Sequence, residues 1–133
     1  MAVFRDSAHA REVLEAFFKY EATVDDPFFG GNGVVIAYTL KDPVIRIVLD
    51  TTRKPEPGHR YDVYVDDPNA PKPTVELFMR ADTFDALYRG EMAPSALMTG
   101  RARAEGDLSA SMRLLPAMAR AIPRYKKYRE EHG

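Results

Sequence analysis

The sequence predicts an α/β (α+β) domain built on a five-stranded, mostly antiparallel sheet with helices packed on one face. Five segments alternate apolar and polar side chains with the period of a half-solvated strand. Stretches near both ends repeat apolar residues at helical spacing, and clusters of Gly, Pro, Asp and Asn separate the segments. At 133 residues and 45% apolar content, the chain suits a single domain over 1–133 that buries about two thirds of its unfolded surface.

The first helix begins at Asp6 or Ser7, either of which can cap it, and Ala10, Val13, Leu14, Phe17 and Phe18 follow the i, i+3, i+4, i+7, i+8 pattern of one buried face. Asp25-Asp26-Pro27 breaks the pattern, and Gly30-Gly31-Asn32-Gly33 turns the chain into a strand over Val34–Leu40. Lys41-Asp42-Pro43 makes the next turn. In the strand Val44–Asp50, residues Ile45, Ile47 and Leu49 oppose Val44, Arg46, Val48 and Asp50, so the two runs read as an antiparallel hairpin. Tyr61, Val63 and Val65 alternate with Asp62, Tyr64 and Asp66 in a third strand, and Val75, Leu77 and Met79 point inward from a fourth, Thr74–Arg80.

Asp82, with Asp85 three positions on, reads as the N-cap of a helix whose Phe84, Leu87 and Tyr88 share a face and which Gly90 ends. A short helix starts at Pro94 and leaves through Gly100. Arg101–Gly106 alternates again, with Ala102 and Ala104 on the inner side, giving the fifth strand. Asp107 caps a last helix whose apolar stripe runs through Leu108, Met112, Leu115, Ala119 and Ile122, with Pro116 and Pro123 expected to segment it.

A net charge of −1 provides no general electrostatic reason to bind nucleic acid. The absence of cysteine excludes a disulfide framework and a thiolate metal site, and suits a reducing compartment. No run approaches the ~20 apolar residues that span a bilayer, and no basic patch precedes an apolar leader, so a cytoplasmic protein is expected.

Gly30, Gly31 and Gly33 are not followed by the lysine and hydroxyl of a phosphate loop, and a strand comes next; they read as a turn. Asp66, Asp67 and Asn69 lack the glycine and closing glutamate of a calcium loop. His9, His59 and His132 share no metal-binding spacing. Ser95, Ser109 and Ser111 stand in no nucleophile elbow. No catalytic residue, metal or cofactor is therefore expected. Met92, Met98, Met112 and Met118 cluster with Leu97, Leu115 and Ile122, a flexible thioether surface that suits either an ordinary core or a variable apolar ligand.

Met79-Arg80-Ala81-Asp82-Thr83-Phe84-Asp85-Ala86-Leu87-Tyr88-Arg89-Gly90, then Pro94-Ser95-Ala96-Leu97-Met98-Thr99-Gly100-Arg101, then Glu105-Gly106-Asp107-Leu108 and Met112 resembles the lipid-binding domain of the sterol carrier protein type 2 family, over a core of 74–115. The resemblance implies an apolar cavity between sheet and helices that holds a fatty acid, fatty acyl-CoA, sterol-like lipid or phospholipid without chemistry. It implies Phe84, Leu87, Leu97, Met98, Met112 and Leu115 on the cavity wall, with Met118 and Ile122 in a lid. Ala102 and Ala104 stand where the family has larger aliphatics, which implies a wider cavity or a bulkier neighbour.

The basic tail over 120–133 carries Arg120, Arg124, Lys126, Lys127 and Arg129 between Ile122, Tyr125 and Tyr128. It reads first as a solvated terminal helix, and in a sharper version as a patch that meets an anionic membrane surface. The alternative function is a protein-interaction or oligomerisation module, a homodimer included, that uses the same apolar groove.

Overall fold

The computed structural model describes residues 3–24, 33–52, 57–91, 100 and 102–132; the side chains of 108, 111, 113–115, 117, 118 and 132 lie outside that description. Helix α1 spans Ser7–Glu21, and the Asp6 side chain caps it by accepting the His9 backbone N–H at 2.8 Å. Its buried face includes Ala10, Val13, Leu14, Phe17 and Phe18, as the spacing requires.

Strands β1 (Val35–Lys41) and β2 (Ile45–Asp50) form the hairpin, paired from Val35 opposite Asp50 to Leu40 opposite Ile45. Strand β3 (Asp62–Val65) lies antiparallel to β2, β4 (Val75–Arg80) parallel to β1, and β5 (Ala102–Gly106) antiparallel to β4. The order is β3-β2-β1-β4-β5, a mixed sheet with one parallel junction. Alternation then sorts the side chains. Ile36, Tyr38, Leu40, Ile45, Ile47, Leu49, Val75, Leu77 and Met79 join the helices in one core, and Val35, Ala37 and Val48 form a small cluster on the opposite face with Tyr64 and Ala70. Each large side chain fully buried in the main core contributes roughly 1.5–3 kcal/mol.

Gly106 ends β5 at φ +101, and a Cβ there would stand 2.3 Å from the Thr74 carbonyl oxygen. Only glycine allows that approach. Asp107 follows and caps α3 (Leu108–His132), its carboxylate accepting the Ala110 N–H at 3.1 Å.

Three expectations are corrected. Helix α2 spans Ala81–Tyr88 with Arg80 in the N-cap position and no side-chain cap, so Asp82 lies inside the first turn. The pairing of Arg80 with Lys41 and the complete burial of Ala81 set where strand gives way to helix, overriding the local capping signal. Helix α3 is continuous through Pro116 and Pro123, both of which sit on its exposed side, where water can satisfy the carbonyls that the prolines leave without a donor. The basic tail is helical and solvated on one side only: Arg120, Lys126 and Lys127 are exposed, while Ala121, Tyr125 and Arg129 recur every fourth position and are buried. The expected short helix from Pro94 to Gly100 lies outside the described residues except at its exit, where Gly100 has φ +86.

Candidate functional site

Between the sheet and the helices, aromatic rings interlock. Phe84 lies 4.5 Å from Tyr88 and 5.3 Å from Tyr38, and Phe17 meets Tyr125 at 4.9 Å, each distance taken between ring centres. Their polar ends are matched in the interior. The Tyr38 and Tyr88 hydroxyls share a hydrogen bond of 2.6 Å, Tyr61 donates to the Phe18 carbonyl at 2.9 Å, and Tyr125 donates to Asp85 at 2.5 Å. Burial pushes the Tyr38 hydroxyl up to about 12, against the lowering effect of its bond to Tyr88. Burial also raises Tyr61, Tyr88 and Tyr125, so all four phenols stay protonated at neutral pH.

Two buried carboxylates hold the end of α3 to this layer. Asp85 accepts from Arg89 at 2.6 Å and lies 3.5 Å from an Arg129 nitrogen, and Arg129 also donates to the Val3 carbonyl and covers the Phe4 ring at 4.6 Å. Glu21 receives Arg124 through two bonds of 2.5 and 2.9 Å.

An open groove lies elsewhere, at the end of the parallel β1/β4 pair. It is a groove of about 710 Å³ lined by Thr39, Leu40 and Lys41 of β1, Phe78, Met79 and Arg80 of β4, Thr83 of α2, Gly100, and Ala102 and Arg103 of β5. Leu40, Phe78, Met79 and Ala102 form its apolar part, and the three cations stand around them; no carboxylate belongs to the described lining. Ala102 is buried beside Met79, its partner across the β4/β5 ladder, and both reach the groove.

The eight residues expected on a ligand wall fall in several places. Phe84 and Leu87 are buried, Phe84 within the ring cluster. Ile122 is half-buried, with its Cγ2 3.1 Å from where a Gly90 side chain would begin. Met112 is 59% exposed. Leu97 and Met98 lie outside the described residues, as do the side chains of Leu115 and Met118. None of the eight is among the described lining of the groove. The lining residues that the sequence reading passed over are those of the outer face, Thr39, Phe78 and Arg103. A phenylalanine at a polar position of an alternating strand was the available signal. Among the described residues no three His, Asp or Glu side chains are placed to hold a metal ion, and no helix is long and apolar enough to cross a membrane.

This element order, with helices on one side of the sheet and an open groove at its end, defines a small α/β domain of the sterol-carrier fold. Residues 14–118 match the SCP-2 sterol transfer family, and the chain belongs to that family. The sterol carrier protein domain 2 of Helicoverpa armigera superposes with a TM-score of 0.64 at 13% identity, over 84% of this chain and 87% of that one. Sterol carrier protein 2 from Yarrowia lipolytica, in its apo form, gives 0.52 at 18% identity, over 89% and 82%. Palmitated SCP2L2 from Aedes aegypti gives 0.53 at 17% identity, over 81% and 92%. No curated protein sequence matches the chain.

Proposed function

We propose that this protein binds and carries a hydrophobic ligand, a fatty acid, fatty acyl-CoA, sterol-like lipid or phospholipid, in the groove at the end of β1 and β4, without altering it. Membership of a sterol transfer family implies lipid binding, and the groove is the observation that carries the reading. Its 710 Å³ falls within the ~300–1,000 Å³ typical of small-molecule sites. A structural neighbour described as palmitated supports a fatty acyl ligand by analogy of fold.

The magnitudes suit a carrier. Burying a sixteen-carbon chain completely would yield on the order of 12 kcal/mol gross, of which association and ordering take back ~4–15 kcal/mol. An open groove collects only part of the gross term, so the net affinity is modest and release is feasible. The cysteine-free composition suits a carrier that works in the cytoplasm. The test is to extract the purified protein with solvent, identify the released lipid by mass spectrometry, and measure melting across a lipid panel. Co-purifying lipid, or a melting rise with fatty acid, acyl-CoA or sterol, is expected. A clean extract together with a flat melting temperature across the panel would refute the carrier reading.

A further inference from the structure

Phe78 and Arg103 face each other across β4 and β5, and the Arg103 guanidinium lies over the Phe78 ring, 4.4 Å from its centre. Both line the groove, beside Lys41 and Arg80. Arg80 is engaged by Asp42 at 3.1 Å, while Arg103 is two-thirds exposed and only 3.6 Å from Glu105 on its own strand.

We propose that Arg103 is a shutter that makes the groove selective for anionic amphiphiles. It rests on Phe78 and turns to the head group when a chain ending in carboxylate or phosphate enters. The inference rests on the reading of the groove as a lipid site and goes beyond it to the class of ligand. A cation–π contact at an exposed site is weaker than a charge-assisted, two-pronged bond from guanidinium to an anion, so an arriving head group outcompetes the ring. Departure of the guanidinium bares the Phe78 face, which the alkyl chain then covers. Opening the floor and binding the head group are therefore coupled through one side chain. A neutral alcohol of the same length has to displace Arg103 with only an uncharged hydroxyl to offer it, a weaker partner than an anion. Lys41 and Arg80, which also line the groove, add positive potential.

The test uses the full chain titrated with dodecanoate, dodecyl phosphate and 1-dodecanol, followed by the methyl resonances of Met79 and Leu40. The native protein is expected to bind the better of the two anions at least about tenfold more tightly than the alcohol, and which anion wins assigns the head group as carboxylate or phosphate. Arg103→Gln is expected to erase that preference and to tighten dodecanol about twofold or more, because the ring is no longer covered. Lys41→Gln is expected to lower anion binding without the gain for dodecanol. Equal binding of anion and alcohol by the native protein, or no gain for dodecanol in Arg103→Gln, would overturn the shutter. Methyl resonances unmoved by all three compounds would instead strike down the lipid reading of the groove.

Discussion

Tyr125 donates its hydroxyl to the carboxylate of Asp85 at 2.5 Å across 40 residues of sequence, with both groups buried. That bond fastens the C-terminal half of α3 to α2, because Arg129, one turn further along, lies 3.5 Å from the same oxygen. Tyr125→Phe is expected to cost about 1–2 kcal/mol, since Arg89 and Arg129 still satisfy the carboxylate. Asp85→Ala is expected to cost about 3–5 kcal/mol, because it removes a buried carboxylate from the buried Arg129 and from the Tyr125 hydroxyl. Urea unfolding of both variants checks the order; an Asp85→Ala protein as stable as the native one contradicts the fastening role.

The buried phenols make stability fall in alkali. A tyrosine whose folded value lies above its unfolded value of 10.0 contributes fully below pH 10, and that contribution is lost as pH rises toward its folded value, about 12 for Tyr38. The unfolded chain releases these protons first, so unfolding is favoured above pH 10. Each such phenol steepens the decline by up to ~1.4 kcal/mol per pH unit. Denaturant midpoints measured from pH 8 to 12 are expected to hold steady and then drop, with a shallower drop in Tyr38→Phe.

Glu21 and Arg124 show the asymmetry of a buried ion pair. The Glu21 side chain is 2% exposed and that of Arg124 25%, so removing the arginine takes a two-pronged partner from a carboxylate in the interior. Arg124→Met alone is expected to cost about 3 kcal/mol, near the low end for a broken buried pair because Arg124 is partly wet. The double variant Glu21→Gln with Arg124→Met is expected to be more stable than Arg124→Met. A double-mutant cycle measures the difference, and strict additivity would deny the pairing.

Ala102 tests whether the groove holds the ligand. Ala102→Leu adds three carbons beside Met79 at a position that is 7% exposed and belongs to the main core, so part of the added volume presses on its neighbours. It is expected to cost about 1–3 kcal/mol while the protein stays folded, and to weaken binding of a twelve-carbon chain about tenfold or more. Unchanged binding would move the ligand site away from this groove.

Much of the fold was legible from periodicity. The buried face of α1 and the inward residues of β4 and β5 were read correctly, because alternation and helical spacing are local properties, enforced wherever one face meets a core. Asp6, Gly106 and Asp107 behave as their residue types suggest. The start of α2 did not follow Asp82, because β4 runs into the helix with its ladder to β1 intact through Arg80. The basic tail misled for a related reason. Tyr125 and Arg129 look like members of a charged, wet helix until Asp85 and the ring cluster are seen to receive them.

The sequence by itself determined the five strands, the inner faces of β4 and β5 and the family, since all three depend on residue order and spacing over short stretches. Only the tertiary structure decided that β1 and β4 lie side by side and parallel. That contact joins residues some forty positions apart and places Thr39, Phe78 and Arg103 in one row on the outer face. No local period encodes such a junction, because it is selected by the burial of whole faces at once. The groove at its end therefore became visible only when the strands were assembled.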